Sequence, residues 1–356
     1  MNFKKFRSTI LFLSLIAGAV AFQSCESDDE KEVNFESGVL IVNEGKFQAG
    51  TGTVDFYNPN TGESVLNIFK NDEGFAGDVL QSITFYNDRA FLVLNGDNKI
   101  EVANSKDFKS ITAYSAPILD KPRYVQIVGE KAYVSVWGPY SETWSLDNSV
   151  VLVLNANTMA PLDTIYTYDG TENLLYDGKY LFASNNKFGN SSIVLVIDPT
   201  DNSVKHELEL SAGPEGLVID KNNKLWVITT GTYGATSGKL FRVNATTFEI
   251  EEEITIEGQP SGDLATNAAK DEILYRVGKN IYKIAIGATS APAEAFINAS
   301  DVTKPYALNV DPKTGDIYVG DANDNASPGE VFIYKADGTF KTSFVSGISP
   351  GQFIFR

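Results

Sequence analysis

The sequence predicts an all-β fold, a seven-bladed β-propeller with four-stranded blades. Strand–turn–strand units recur in order along the chain, and their starting points lie 42 to 49 residues apart. No segment after Glu32 shows the sustained 3.6-residue apolar period of a helix. Four strands in a period of about 45 residues is the spacing of a propeller blade.

One recurring unit is a β-hairpin, which occurs seven times. In each copy an alternating strand of β-branched or aromatic residues is followed by a turn rich in Asn, Asp or Gly and by a second alternating strand. The copies span residues 53–65, 99–111, 150–165, 192–210, 239–254, 280–297 and 330–344. Because they recur in order along the chain, chance similarity is a weak explanation for them.

A second strand–turn–strand unit precedes six of the hairpins. Its first strand is predicted to be the innermost strand of a blade, and several of these strands begin at a proline. The predicted starting points are Leu80, Pro122, Thr171, Pro214, Pro260, Pro305 and Pro350. The inner and outer hairpins together account for the four strands of each blade.

The two ends of the repeat region predict how the ring closes. Residues 38–43 have the pattern of the second strand of a blade, but no innermost strand precedes them. Residues 350–356 have the pattern of an innermost strand, but no second strand follows them. Joined, these strands complete the seventh blade, so the C-terminal strand is predicted to pair with the N-terminal blade. Such pairing removes the unpaired edge that an open blade would expose.

The first residues predict export and a lipid anchor. Lys4, Lys5 and Arg7 precede an apolar run at residues 10–22, which is too short to span a membrane and is typical of a signal peptide. Residues 22–25 resemble the processing box of bacterial lipoproteins, so Cys25, the only cysteine, is the predicted acyl anchor. An ordinary secretory signal is the alternative. The predicted divisions are a signal peptide at 1–24, a lipidated cysteine with an acidic tether at 25–36, and the propeller at 37–356.

Composition disfavours several classes of function. The formal net charge of −17 repels phosphate backbones, so no nucleic-acid partner is predicted. The single histidine, His206, lies in an alternating strand where it is expected to face solvent, which leaves little basis for a Ser-His-Asp triad or a His-rich metal site. We therefore predict that the protein is not an enzyme, and we assign no catalytic or metal-binding residues.

Propeller geometry predicts where a ligand would bind. Connections between second and third strands and between blades share one end of the ring, and here they are long and irregular, as binding loops usually are. Aromatic residues of these loops are predicted to form the wall of the site: Phe47, Tyr140, Trp144, Phe188 and Tyr233. Residues at the starts of inner strands are predicted to form its floor: Gln81, Arg123, Tyr124, Glu172, Asn173, Glu215, Ser261, Tyr306 and Gln352.

The blade pattern resembles that of YVTN/YncE-like seven-bladed propellers over nearly all of the chain after the signal segment. The acidic run at residues 26–32 resembles the surface-export signal of Bacteroidetes lipoproteins. Together with the predicted anchor, these features are similar to those of the BtuG-type surface-exposed cobalamin-binding lipoproteins. The resemblance implies cobalamin as a bound ligand, with no catalytic cofactor. It also implies a lipid-anchored location on the outer face of the outer membrane and a TonB-dependent cobalamin transporter as partner.

Two other functions fit the same residues. Aromatic platforms also suit sugars, so a surface glycan-binding lipoprotein is one alternative. The other is a hydrolase of the propeller lactonase type, with a divalent cation held at the channel mouth. Glu172, Glu215 and Asp263, with Asn173, begin three different blades and would be its candidate ligands.

Overall fold

The computed structural model describes residues 35–356, except residues 116, 143, 144 and 147, and for Lys187 only the backbone. The predicted signal peptide, Cys25 and the acidic run lie outside the described residues. Among the described residues the only helical element is a 3₁₀ turn at Lys187–Gly189. Nothing in this part of the chain forms a helix long and apolar enough to span a membrane.

The described chain forms 28 strands in seven sheets. The first eleven are β1 (Val39–Asn43), β2 (Thr53–Asn58), β3 (Glu63–Val65), β4 (Leu80–Tyr86), β5 (Arg89–Leu94), β6 (Lys99–Asn104), β7 (Ser110–Tyr114), β8 (Pro122–Val128), β9 (Lys131–Val136), β10 (Val150–Asn155) and β11 (Pro161–Tyr166). The next eight are β12 (Thr171–Tyr176), β13 (Leu181–Asn185), β14 (Ile193–Asp198), β15 (Ser203–Glu209), β16 (Pro214–Ile219), β17 (Lys224–Thr229), β18 (Lys239–Asn244) and β19 (Ile250–Thr255). The last nine are β20 (Leu264–Thr266), β21 (Glu272–Val277), β22 (Asn280–Ala285), β23 (Ile297–Asn298), β24 (Pro305–Val310), β25 (Ile317–Asp321), β26 (Glu330–Tyr334), β27 (Phe340–Val345) and β28 (Pro350–Phe355).

Each sheet is a four-stranded antiparallel blade, so the predicted all-β seven-bladed propeller is confirmed. Six blades use consecutive strands, β4–β7 through β24–β27, and the seventh has the order β28-β1-β2-β3. In this closing blade Val39 pairs with Phe355 and Ile41 with Phe353. The C-terminal strand therefore closes the ring as predicted, and the inner edge of the N-terminal strands is paired.

The hydrophobic core lies between the blades. Seven clusters of buried apolar side chains fill the seven interfaces between neighbouring blades. The second strands of the blades, such as β5 and β13, are almost entirely buried, whereas outermost strands such as β3 and β7 are largely exposed. Because each blade covers the faces of its neighbours, the ring as a whole buries its apolar surface.

The described part of the propeller includes Phe35, two residues before the boundary predicted at residue 37. Phe35 is buried, and its ring packs edge-on against Phe56 and Phe108, with centroids 5.2 and 6.1 Å away. Its carbonyl accepts a hydrogen bond from Arg356 Nη1 at 3.1 Å. Burying an aromatic ring against apolar neighbours is favourable in free energy. Phe35 therefore packs against the propeller, although it was assigned to the solvated tether.

One inner strand begins later than predicted. Pro260 was predicted to start the fifth repeat's inner strand, but β20 starts at Leu264 and has only three residues. The backbone N–H of Ser261 donates to the Arg276 carbonyl at 3.0 Å, and the Ser261 hydroxyl donates to Asp263 Oδ2 at 2.7 Å. These local bonds hold residues 261–263 in an irregular conformation, so regular pairing is delayed.

We call the two ends of the ring the long-loop end and the short-turn end. The long-loop end carries the connections between second and third strands at residues 44–52, 137–149, 186–192, 230–238 and 322–329. The short-turn end carries the tight turns within hairpins. Phe35 and Arg356 lie at the short-turn end, where Arg356 also donates to the carbonyl of Ser105 in a hairpin turn.

Candidate functional site

The inner strands of all seven blades surround a central channel with a cavity of about 470 Å³ near the long-loop end. Its volume lies within the range of small-molecule sites. Eight of the nine predicted floor residues line this cavity: Gln81, Arg123, Tyr124, Asn173, Glu215, Ser261, Tyr306 and Gln352. Side chains from residues more than 250 positions apart are thus brought to one place, as the predicted blade register requires.

Backbone irregularities at the starts of the inner strands explain how these side chains reach the channel. In six of the seven inner strands the pairing register shifts within the first few residues. The residues skipped by the ladder include Gln81, Arg123, Glu172, Glu215 and Tyr306. A β-bulge re-aims side chains, so these positions can point into the channel while the rest of each strand stays regular.

Arg123 is the centre of a hydrogen-bonded network at the boundary of the cavity. Its Nε donates to Glu172 Oε2 at 3.0 Å and its Nη1 donates to Gln81 Oε1. Its guanidinium also lies over the Trp137 ring, 4.2 Å from the centroid. These contacts hold Arg123 in one orientation and leave its positive charge balanced.

Glu172 does not line the cavity but lies behind Arg123. Its side chain is almost fully buried, and burial raises the pKa of its carboxyl group while the charge and hydrogen bond of Arg123 act in the opposite direction. For Arg123, burial acts to lower the pKa, but the combined effects of Glu172, Tyr124 and Glu44 outweigh it and the pKa is raised. Glu172 is therefore a supporting residue that positions Arg123.

Glu44 is a functional candidate that the sequence analysis missed. It follows β1 in a loop, lines the cavity, and its Oε2 accepts a hydrogen bond from Tyr306 O–H at 2.6 Å. Burial raises the pKa of Glu44, and the bond from Tyr306 acts against this shift. Glu44 and Tyr306 are 262 positions apart, so only ring closure brings them together, and no local pattern indicates the pair.

Asp263 and Arg276 form a second ion pair in the wall of the cavity. Arg276 donates to Asp263 Oδ2 through Nε at 2.9 Å and through Nη2 at 2.6 Å. The other carboxylate oxygen accepts the backbone N–H of Leu308 at 3.3 Å. Asp263 is therefore engaged by protein groups, and its position links the fifth and sixth repeats.

Glu215 also lines the cavity, from the start of β16. Its Oε2 accepts a hydrogen bond from Asn186 Nδ2 at 2.8 Å. Burial, followed by the charges of Glu172 and Asp263, raises the pKa of Glu215 to about 8, with Arg123 opposing the shift. At neutral pH this side chain is largely a neutral carboxylic acid.

A wider cleft of about 690 Å³ lies above the cavity at the long-loop end. Phe47 and Tyr140, both predicted wall residues, line it together with the amides Asn95 and Asn325. The cleft and the cavity share four lining residues: Glu44, Gln81, Arg123 and Tyr306. These four residues form the boundary between an outer aromatic space and an inner polar one.

The other predicted wall residues lie elsewhere. Phe188 packs edge-on against Trp137 at 5.4 Å and has a left-handed backbone conformation (φ 53°). Tyr233 is 91% exposed, and both it and Phe188 lie outside the two cavities. Trp144 is outside the described residues. Trp137, directly after β9, is buried, lines the cleft and contacts Arg123.

The carboxylates considered for a lactonase-type cation are held by protein partners. Glu172 pairs with Arg123, Asp263 with Arg276, and Glu215 accepts from Asn186. Among the described residues no group of three or more His, Cys, Asp or Glu side chains has the geometry of a metal site. His206, at the outer rim, is exposed on β15 as predicted and stacks on Phe248.

Comparison with known proteins gives the family. Residues 37–339 match the family described as Domain of unknown function (DUF5074). The chain belongs to this family. The match covers most of the propeller, so the family corresponds to the ring described above. No curated protein matches the sequence.

Solved structures give the fold. This DUF5074 propeller is similar to a quinonprotein alcohol dehydrogenase-like protein from Bacteroides thetaiotaomicron VPI-5482, with 14% identity, a TM-score of 0.68 and coverage of 90% of this chain and 79% of that one. Hydrazine synthase from Kuenenia stuttgartiensis has 14% identity, a TM-score of 0.56 and coverage of 75% and 87%. The dihydro-heme d1 dehydrogenase NirN in complex with DHE has 11% identity, a TM-score of 0.59 and coverage of 90% and 76%. At these identities the likeness concerns the fold alone.

Proposed function

We propose that this DUF5074 propeller captures cobalamin at its long-loop end and passes it, without chemistry, to a TonB-dependent transporter of the outer membrane. The observation that carries the proposal is the stacked pair of spaces, an aromatic cleft above a polar cavity. A ligand with a broad face and polar arms can cover the cleft with its face and insert an arm into the cavity. Cobalamin has this shape, because its corrin ring is surrounded by acetamide and propionamide groups.

The side chains of the cleft match that chemistry. Phe47 and Tyr140 offer aromatic surface for the ring face, and Phe47 is 71% exposed, so a ligand that covered it would remove apolar surface from water. Asn95 and Asn325 line the same cleft; one N–H of each amide donates to the protein, to the Pro122 carbonyl and the Ser349 hydroxyl, and the second N–H can donate to a ligand amide. Ligand binding would thus explain why Phe47 is exposed, since its ring is not needed for packing within the propeller.

The ionic groups favour binding over catalysis. The carboxylates of Glu172 and Asp263 are each paired with an arginine, and that of Glu44 accepts from a tyrosine. Groups held in this way are poorly placed to coordinate a cation or to activate water. A nearly neutral ligand also suits a site in which charges are already balanced.

The position of the N-terminal entry agrees with surface capture. The described chain begins at Phe35 at the short-turn end, opposite the cleft. A lipid at the predicted anchor Cys25 would attach the protein through that end and leave the cleft open to the medium. Replacing Cys25 by Ala should abolish incorporation of labelled palmitate and release the protein from the membrane fraction; continued labelling would contradict the anchor.

Glycan binding is the second candidate, since exposed rings such as Phe47 can also stack on sugars. Equilibrium dialysis of residues 26–356 against cyanocobalamin, a panel of oligosaccharides and calcium separates the alternatives. We expect retention of cyanocobalamin at micromolar concentration and no competition by the other ligands. Retention of an oligosaccharide without cyanocobalamin would replace the proposal by the glycan function.

A further inference from the structure

The inner cavity contains a buried carboxyl group, that of Glu215, which forms no ion pair among the described residues. Glu215 is the second residue of β16, and among the described residues the only hydrogen-bond partner of its carboxyl group is the Asn186 amide, at 2.8 Å from Oε2. Its carboxyl group lies against Gly262, where a Cβ would come within 2.0 Å of the Glu215 Cδ. Only glycine at 262 leaves room for this side chain, so the fold provides a defined seat for the acid.

The charged groups around this seat come from three neighbouring inner strands. Glu172 belongs to β12 and Asp263 immediately precedes β20, and both disfavour a negative charge on Glu215. Arg123 on β8 has the opposite effect, but its charge is already engaged by Glu172, and the Arg276 guanidinium is engaged by Asp263. Burial and these charges together raise the pKa of Glu215 to about 8.

We propose that Glu215 meets the ligand as a neutral carboxylic acid and donates a hydrogen bond to a carbonyl oxygen, so that the inner cavity selects an amide arm over a carboxylate arm. This inference rests on the proposed function, in which the cavity receives one polar arm of the bound ligand. The Asn173 side chain also lines the cavity and makes no hydrogen bond within the described part of the chain. An amide arm offers a carbonyl to Glu215 and an N–H₂ group to Asn173, which satisfies both residues.

A carboxylate arm meets the opposite conditions. It brings a further negative charge close to the carboxylates of Glu172 and Asp263 in a buried site, where like charges repel strongly. It also places the carboxyl group of the arm beside that of Glu215. Two such groups in contact in a buried site cannot both be ionised, so one of them must carry a proton. The discrimination therefore follows from charges that the protein has already fixed.

The first test compares binding of cyanocobalamin, whose own charge is constant over the interval, at pH 6.5 and pH 9.5. With a pKa of about 8, the neutral fraction of Glu215 falls about 30-fold between these values, so wild-type affinity should fall by up to about 30-fold. Glu215→Gln is always neutral, keeps an N–H donor and should bind with the same affinity at both pH values. The control Glu130→Gln changes an exposed glutamate in a short turn and should behave as wild type.

The second test uses a corrinoid in which one side-chain amide at a time has been hydrolysed to a carboxylic acid. At pH 6.5 we expect at least one such derivative to bind more than about 10-fold more weakly than the parent amide. Wild-type affinity that is independent of pH, or that falls equally in Glu215→Gln, overturns this inference and leaves the proposed capture function intact. Absence of cyanocobalamin binding at both pH values overturns both proposals.

Discussion

Truncation of Phe353, a core residue of the closing strand, should destabilise the whole ring. Phe353 is only 3% exposed, and its ring lies 5.6 Å from that of Tyr318 in the preceding blade. It belongs to the cluster that joins the closing blade to that neighbour, with Val39 and Ile41 on the paired strand. Phe-to-Ala changes at such buried sites cost about 3–5 kcal/mol, because apolar burial is lost and a cavity remains.

Thermal unfolding followed by circular dichroism measures this cost. A loss of that size in a domain of this length lowers Tm by roughly 4–7 °C. The matched control is Phe340→Ala on the outermost strand β27, because Phe340 is 56% exposed and should lose less than half as much stability. Equal Tm values for wild type and Phe353→Ala would refute the closure of the ring through β28.

Three further predictions concern the site. Glu215 has a folded pKa raised from 4.5 to about 8, so its contribution to stability is present below pH 4.5 and is lost as pH rises toward 8. Urea unfolding should therefore show wild type losing up to about 4 kcal/mol relative to Glu215→Gln between pH 5 and pH 8.5, and an unchanged difference would contradict the buried acid. Gly262→Ala should displace Glu215 and weaken cyanocobalamin binding at least 10-fold in a dialysis assay, whereas affinity equal to wild type would show that the seat is unimportant. Phe47→Ala should weaken binding about 30-fold in surface plasmon resonance, mainly through faster release, and a loss of the same size in Asn222→Ala at the short-turn end would refute the location of the site.

Much of the fold could be predicted from the sequence because each repeat carries its own signals. Alternating strands and turns of the Asn, Asp or Gly type gave the hairpins, and Pro122, Pro214 and Pro305 coincide with starts of inner strands. The fifth repeat departed from this pattern, because bonds at Ser261 delay the regular pairing. Its proline therefore did not mark the strand start.

The floor of the site could also be predicted, since blade register alone places the residues after each strand start around one channel. The hydrogen bonds and ion pairs among these residues could not be predicted in the same way. Glu44 reaches Tyr306 only through ring closure, and Asp263 is held by Arg276 from the neighbouring strand. The positions of the wall aromatics could not be derived from blade register, because a loop side chain is placed by its own contacts: Phe188 packs against Trp137 and lies outside both cavities.

Hydrogen–deuterium exchange of residues 26–356 with and without cyanocobalamin tests the central claim most directly, since it reports both binding and its location. The account predicts slower exchange in loops 44–52 and 322–329 and at the start of β8, with no change in the short turns at 129–130 and 221–223. Exchange that is identical in both states, or protection confined to the short-turn end, would contradict capture of cobalamin at the long-loop cleft.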